Sequence, residues 1–218
     1  MELILPEYAK YVYEINCLRI NVAKVLAHRD ALKYHICRYI ELDYMLKVGA
    51  LEYKQFLIEN KVEKAKRMLH YLQDENAKPE DLPELIRKEF EEKDQKAKDM
   101  GESINNAIDM SLERIPTEDE ITELNSYYLV LLRDYSPEIN IKNSDEEKEM
   151  FDDIQKAYIL CDLETIKKYE KSKKEELFFD ELEEYKKEKV RLNELLSNTN
   201  KEIAKIKNTF PYTEKLSI

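Results

Sequence analysis

The sequence predicts an all-α protein: elongated antiparallel helical hairpins or coiled coil, with a compact helical unit inserted. Three observations carry this. Apolar residues return at heptad spacing along several long stretches. Glycine occurs only at Gly49 and Gly101, and proline falls mostly where the helical pattern restarts. No stretch alternates apolar and polar residues as a half-buried strand would.

The first seam runs Tyr8, Tyr11, Ile15, Leu18, Val22, Val25 and Leu32, weakest at His28–Arg29. A second runs Val48, Leu51, Ile58, Val62, Ala65, Leu69 and Leu72, with Gln55 interrupting it. The two are out of phase, so a turn or kink is expected within Lys33–Leu42, folding them as an antiparallel hairpin. With no Gly or Pro there, one continuous helix is the alternative. Gly49 then lies inside the second helix, where a close helix–helix approach would explain it. Residues 74–83 read as a connector, with Asp81 as cap and Pro83 in the first turn of a third helix. Ile86, Phe90, Ala97, Met100, Ile104, Ala107 and Ser111 form that helix's seam, and its charged middle predicts high exposure. A fourth seam, Leu182, Tyr185, Leu192, Leu196, Ile203 and Ile206, with Lys189 and Thr199 as exceptions, predicts a last helix from about Lys174 to Asn208. Phe210 and Tyr212 follow in an extended tail. The seams at the two ends of the chain are suited to pair with each other or with another copy.

Between the third and fourth seams lies the stretch 117–169. Thr117 with Glu120, and Ser144 with Glu147, have capping-box spacing and predict two helix starts. Pro137 disfavours a helical Ser136, so the first helix ends there. Tyr128, Leu132 and Tyr135 share a face and are assigned to a core against Phe151, Ile154 and Tyr158. Tyr127 falls off that face and is the surface candidate. The organisation expected is an N-terminal helical hairpin over 1–76, a connector and long third helix over 77–116, the helix–loop–helix unit over 117–171, and a C-terminal coiled-coil helix and tail over 172–218.

The residues Tyr128, Leu129, Leu132, Tyr135 and Pro137, followed by Glu147, Phe151, Ile154, Ala157, Tyr158 and Tyr169, resemble a J-domain, the module by which DnaJ-type cochaperones engage DnaK-type ATPases. The stretches 29–53, Asp162–Lys168 and Phe210–Thr213 extend the resemblance to bacterial coiled-coil proteins with a degenerate J-like segment. The J-like part covers about a quarter of the chain. The resemblance implies a J-domain-like helical unit and a chaperone-related role. Where a working J-domain carries His-Pro-Asp, this chain has Ser136, Pro137 and Glu138. Its preceding helix, basic in that family, carries Glu118, Asp119, Glu120, Glu123 and Asp134 against Arg133 alone. The expectation is a non-enzymatic protein-interaction or chaperone-adaptor protein, unable to stimulate a DnaK-type ATPase. It would present the loop Ser136–Asn143 to a protein partner through Arg133, Ser136, Pro137 and Glu138. The alternative is a structural coiled-coil protein acting by self-association, as a monomer or small symmetric dimer with the dimer favoured.

Charge and composition exclude other classes. A net charge of −11 disfavours phosphate backbones and anionic membrane surfaces. MELILPEY has no basic leader, and no apolar run approaches a membrane span. Cys17, Cys37 and Cys161 are odd in number and widely spaced, which suits a reduced cytoplasm. His35 and Cys37 point apart on a helix, so they cannot share a metal, and His28 and His70 find no companion motif. Adjacent acids such as Asp152–Asp153 are expected in a chain so rich in them. Ser136 lacks a nucleophile elbow, and no phosphate-binding loop occurs. No cofactor is implied.

Overall fold

The computed structural model describes residues 6–73, 78–112, 117–170 and 181–216, which contain helices and turns and no strand. No helix among them is long and apolar enough to cross a membrane. The chain divides into two compact units: Met1–Arg38 with Pro116–Ser217, and Tyr39–Ile115. These boundaries differ from the four segments the seams suggest.

The larger unit contains α1 (Pro6–Ala31), α6 (Glu118–Tyr135), α7 (Asp145–Ile159), α8 (Leu163–Glu170) and α9 (Leu182–Lys207). α1 packs along α9 and against α6, so the two terminal seams do pair. They run parallel rather than antiparallel: Tyr8 meets Tyr185 edge-on, Glu14 accepts from Lys189, and Arg29 lies near Glu202. Ile15, Val22, Leu26 and Leu192 are buried between them and α6. Thr199, read as a seam exception, is buried, its hydroxyl donating to the Leu195 carbonyl at 2.8 Å. Lys189, the other exception, instead reaches Glu14 at 2.8 Å.

α6 and α7 form an antiparallel pair joined by the loop 136–144. Both capping boxes are present, with Thr117 and Ser144 each accepting from the residue three on and each carboxylate returning the bond. Tyr128, Leu132, Tyr135, Phe151, Ile154 and Tyr158 are buried as the spacing predicts. Tyr127 is half-buried at the edge of this core, with the Lys167 ammonium 5.7 Å from its ring centre, and is therefore less free than its position implied. α7 ends with Cys161 in the left-handed region, φ 56°, and the Asp162 amide bonded back to the Ala157 carbonyl at 2.8 Å. Asp162 then caps α8 through Thr165, which places Ile166 fully in the core. At the far end, residues 212–216 form a 3-10 turn against α9 rather than an extended tail. The predicted α9 start near Lys174 lies outside the described residues.

The expected turn within Lys33–Leu42 is absent. Those residues are helical throughout, as a π-helical turn at Leu32–Ile36 and then α2 (Cys37–Tyr44). A second π-helical turn, Met45–Gly49, precedes α3 (Ala50–Leu72). Each π turn adds residues to a helical turn and so changes the phase of the side chains that follow. A phase change between seams therefore needed no reversal of the chain. The division between the two units falls inside α2.

The smaller unit holds α3, α4 (Leu82–Glu89) and α5 (Glu91–Leu112). The third seam is thus two helices: Phe90, at φ −107° and ψ 9°, breaks it. Pro83 lies in the first turn of α4 as expected, while Asp81 makes no side-chain cap bond. α3 and α5 run antiparallel, with Asn60 and Lys64 on Asp94, and Arg67 on Glu89. A Cβ on Gly101 would meet the Tyr53 hydroxyl at 3.1 Å, so this glycine admits the neighbouring helix. Gly49 is buried in the π-helical turn that packs against α5, and the atom nearest to an added Cβ is Met45 Sδ of its own helix.

Candidate functional site

The loop after α6 is built inward. Ser136 caps α6 in an extended conformation, φ −59° and ψ 126°, as a residue before proline must. Its amide donates to the Leu132 carbonyl, and its own carbonyl accepts from the amides of Ile139 and Asn140. The side chain is 0% exposed and Oγ has no hydrogen-bond partner. Ile139, Asn140 and Asn143 are also buried. Asn140 donates to the Arg133 carbonyl at 3.0 Å, and Asn143 donates to the Tyr135 carbonyl at 2.7 Å. Both amides thereby satisfy carbonyls that the helix end leaves open.

Arginines from both terminal helices hold this loop. Arg19 of α1 donates to Asn140 Oδ1. Arg29 of α1 grips Glu138 with both terminal nitrogens, at 2.9 and 3.1 Å. Arg191 of α9 donates to the carbonyls of Glu138 at 2.7 Å and Ile139 at 2.6 Å. Its Nε, and the same terminal nitrogen that reaches Ile139, pair with buried Glu188. Because Glu138 is well exposed, its ion pair is worth less than about 1 kcal/mol and serves to fix position. The carbonyl bonds matter more, since a half-buried loop must satisfy its backbone.

Below the loop, Tyr128 and Tyr158 stack with ring centres 3.7 Å apart. The Tyr128 hydroxyl donates to Asp30 Oδ2 at 2.9 Å, and Arg29 Nε donates to Asp30 Oδ1 at 2.9 Å. Burial raises the Asp30 pKa, partly offset by Arg29 and Tyr128. Burial also raises both tyrosines well above the usual phenol range. Burial works against the Arg29 charge, but the bonds to Glu138 and Asp30 outweigh it and push its pKa up. This network ties α1 to α6. His35 lies edge-on to Tyr158, with Nδ1 3.8 Å from Cys161 Sγ rather than near Cys37. Burial lowers the His35 pKa and raises that of the Cys161 thiol, so both stay neutral. Among the described residues no three His, Cys, Asp or Glu side chains converge as metal ligands.

The four residues expected to contact a partner therefore sit unequally. Ser136 is buried, Pro137 is half-buried, Glu138 is held by Arg29, and Arg133 folds onto Asp134 at 2.6 Å. The loop's most open residues include Ile141, 62% exposed, and Lys142, beside exposed Glu138 and Ser144.

In the other unit the reverse holds. The seam Leu51, Ile58, Val62, Leu69 and Leu72 of α3 is 46–62% exposed. The face turned toward α4 and α5 is instead mixed: Phe56 and Leu57 lie half-buried beside Asn60, Lys64 and Arg67. α3 thus leaves its most regular apolar stripe uncovered. The spacing revealed the stripe; which way it faces depends on α4 and α5. No family model matches the chain, and no curated protein and no solved structure matches it.

Proposed function

We propose that this chain is a non-enzymatic protein-interaction module that works through the outer face of α3. The observation that carries this is the exposed heptad stripe from Leu51 to Leu72. Five exposed apolar residues aligned on one helix face, interrupted at Gln55, mark an interface, whereas singly scattered ones do not. In this reading the helix–loop–helix unit of 117–170 is a degenerate J-like brace. Its loop is occupied by Arg19, Arg29 and Arg191, and what a J-domain would present to an ATPase is used inside the molecule. The chaperone-adaptor role narrows accordingly, from the loop to α3.

The test is affinity capture from the native cell with three forms of the full chain. Wild type and a loop variant, Ile141→Ser with Lys142→Glu, should recover the same proteins, further copies of this chain included. Val62→Glu with Leu69→Glu should lose them while keeping its helical spectrum, because both side chains are exposed. Loss in the loop variant with retention in the α3 variant would overturn the proposal.

A further inference from the structure

We propose that α3 pairs with α3 of a second copy of this chain, parallel and in register, as a two-stranded coiled coil. This rests on the reading of α3 as the interaction surface and names its occupant. From Leu51 to Leu72 the stripe spans about three heptads, roughly 33 Å of helix. Val48 lies in the π-helical turn before α3, so the regular register begins at Leu51.

In that register Leu51, Ile58, Ala65 and Leu72 take the d positions, and Gln55, Val62 and Leu69 take a. Val62 is the one β-branched residue at a, with Ile58 and Ala65 at the neighbouring d positions, so the argument for two parallel strands rests on Gln55. Gln55 fixes the alignment. In a parallel, in-register pair it meets its own copy, and two amides can bond to each other. In an antiparallel pair it faces an apolar d residue and loses hydrogen bonding. In the single chain Gln55 donates to Glu59 at 2.8 Å, a local bond it can exchange for the inter-chain one.

The flanking charges are compatible with self-pairing. α3 carries five basic residues (Lys54, Lys61, Lys64, Lys66, Arg67) against three acidic ones (Glu52, Glu59, Glu63). The chain's net negative charge is therefore not concentrated here. In the parallel arrangement Lys54 at g reaches Glu59 of the second copy at e, twice per dimer. Lys61 then faces Lys66 of the second copy, which is unfavourable. In the antiparallel arrangement Lys66 would instead neighbour Glu59. The sign of one substitution therefore reports orientation.

The experiment is sedimentation equilibrium on the full chain, with circular dichroism to confirm fold. Wild type should be a concentration-dependent dimer. Val62→Glu should be a monomer with an unchanged helical spectrum. Lys66→Glu turns the unfavourable parallel pair into an attractive one, so its dimer should tighten on the order of tenfold. An unchanged or weaker dimer in Lys66→Glu overturns the parallel arrangement. A wild-type monomer at high micromolar concentration, or a Val62→Glu dimer, overturns self-pairing. If wild type is monomeric yet the α3 variant still loses its captured proteins, the interaction surface stands and the second copy is the wrong occupant. If both measurements are negative, both proposals fall.

Discussion

Ser136 closes α6, and burial decides what can stand there. Its Oγ is enclosed without a partner, so Ser136→Ala should be neutral or slightly stabilising, by up to about 1 kcal/mol. Ser136→His must force an imidazole into a site with no exposed surface and should cost about 1–3 kcal/mol. Urea unfolding of the two variants checks both values; equal stability would mean the site is not closed. The sequence identified the residue and the end of α6, through Pro137. It could not reveal that Ser136 points inward, because that depends on Arg19, Arg29 and Arg191, which are distant in the chain. His35 gives a second residue-scale test. Burial, aided by the Arg38 charge, lowers its pKa, while a backbone contact with Tyr158 partly offsets this. The unfolded chain therefore binds the proton more readily. The stability His35 contributes is complete above its unfolded pKa of about 6.5 and is lost as pH falls through the lower folded value. His28 shifts in the same direction, and carboxylates also titrate in acid, so the comparison must be differential. Between pH 7 and 5, wild type should lose more stability than His35→Leu; parallel curves would assign the effect elsewhere.

At the scale of elements, local chemistry was legible and phase was not. The two capping boxes follow from hydroxyl and carboxylate three residues apart, and both formed. Thr117→Ala and Ser144→Ala should each cost about 0.5–2 kcal/mol in thermal or urea unfolding. Loss of neither stability nor helix in both would mean those hydroxyls do not set the helix starts. The phase difference between the first two seams suits a turn or kink, with one continuous helix as the alternative, and π-helical turns at Leu32–Ile36 and Met45–Gly49 absorb it within helix. Nothing in the residue types distinguishes these outcomes, since neither site needs a Gly or Pro. The break at Phe90 was hidden for a related reason: Ile86, Phe90 and Ala97 keep apolar spacing across it, and all three are buried. The pairing of the terminal helices was legible as complementary seams. Its parallel direction was not, because heptad spacing reads the same in both directions.

For the whole molecule, the candidate site read from the sequence lies entirely in the larger unit, and the uncovered apolar stripe of α3 lies in the smaller one. The helix–loop–helix unit uses its loop internally, and α6 carries no basic face: Arg133 pairs with Asp134, and Glu123 pairs with Lys167. We expect no stimulation of a DnaK-type ATPase from the same cell in single-turnover hydrolysis, and none from Ser136→His with Glu138→Asp. The double variant overfills a buried site and shortens the acid that Arg29 grips, without supplying a basic helix. Clear stimulation by the wild type would make the loop the working surface after all. The most direct test of the central claim, that α3 rather than this loop meets other proteins, is lysine footprinting by mass spectrometry. It compares dilute purified protein with the protein in its native cell extract. Lys54, Lys61 and Lys66 flank the α3 stripe, whereas Lys142 marks the loop. We expect the three α3 lysines to become protected in the extract and Lys142 to keep its reactivity. Protection of Lys142 with unchanged α3 lysines would contradict the account.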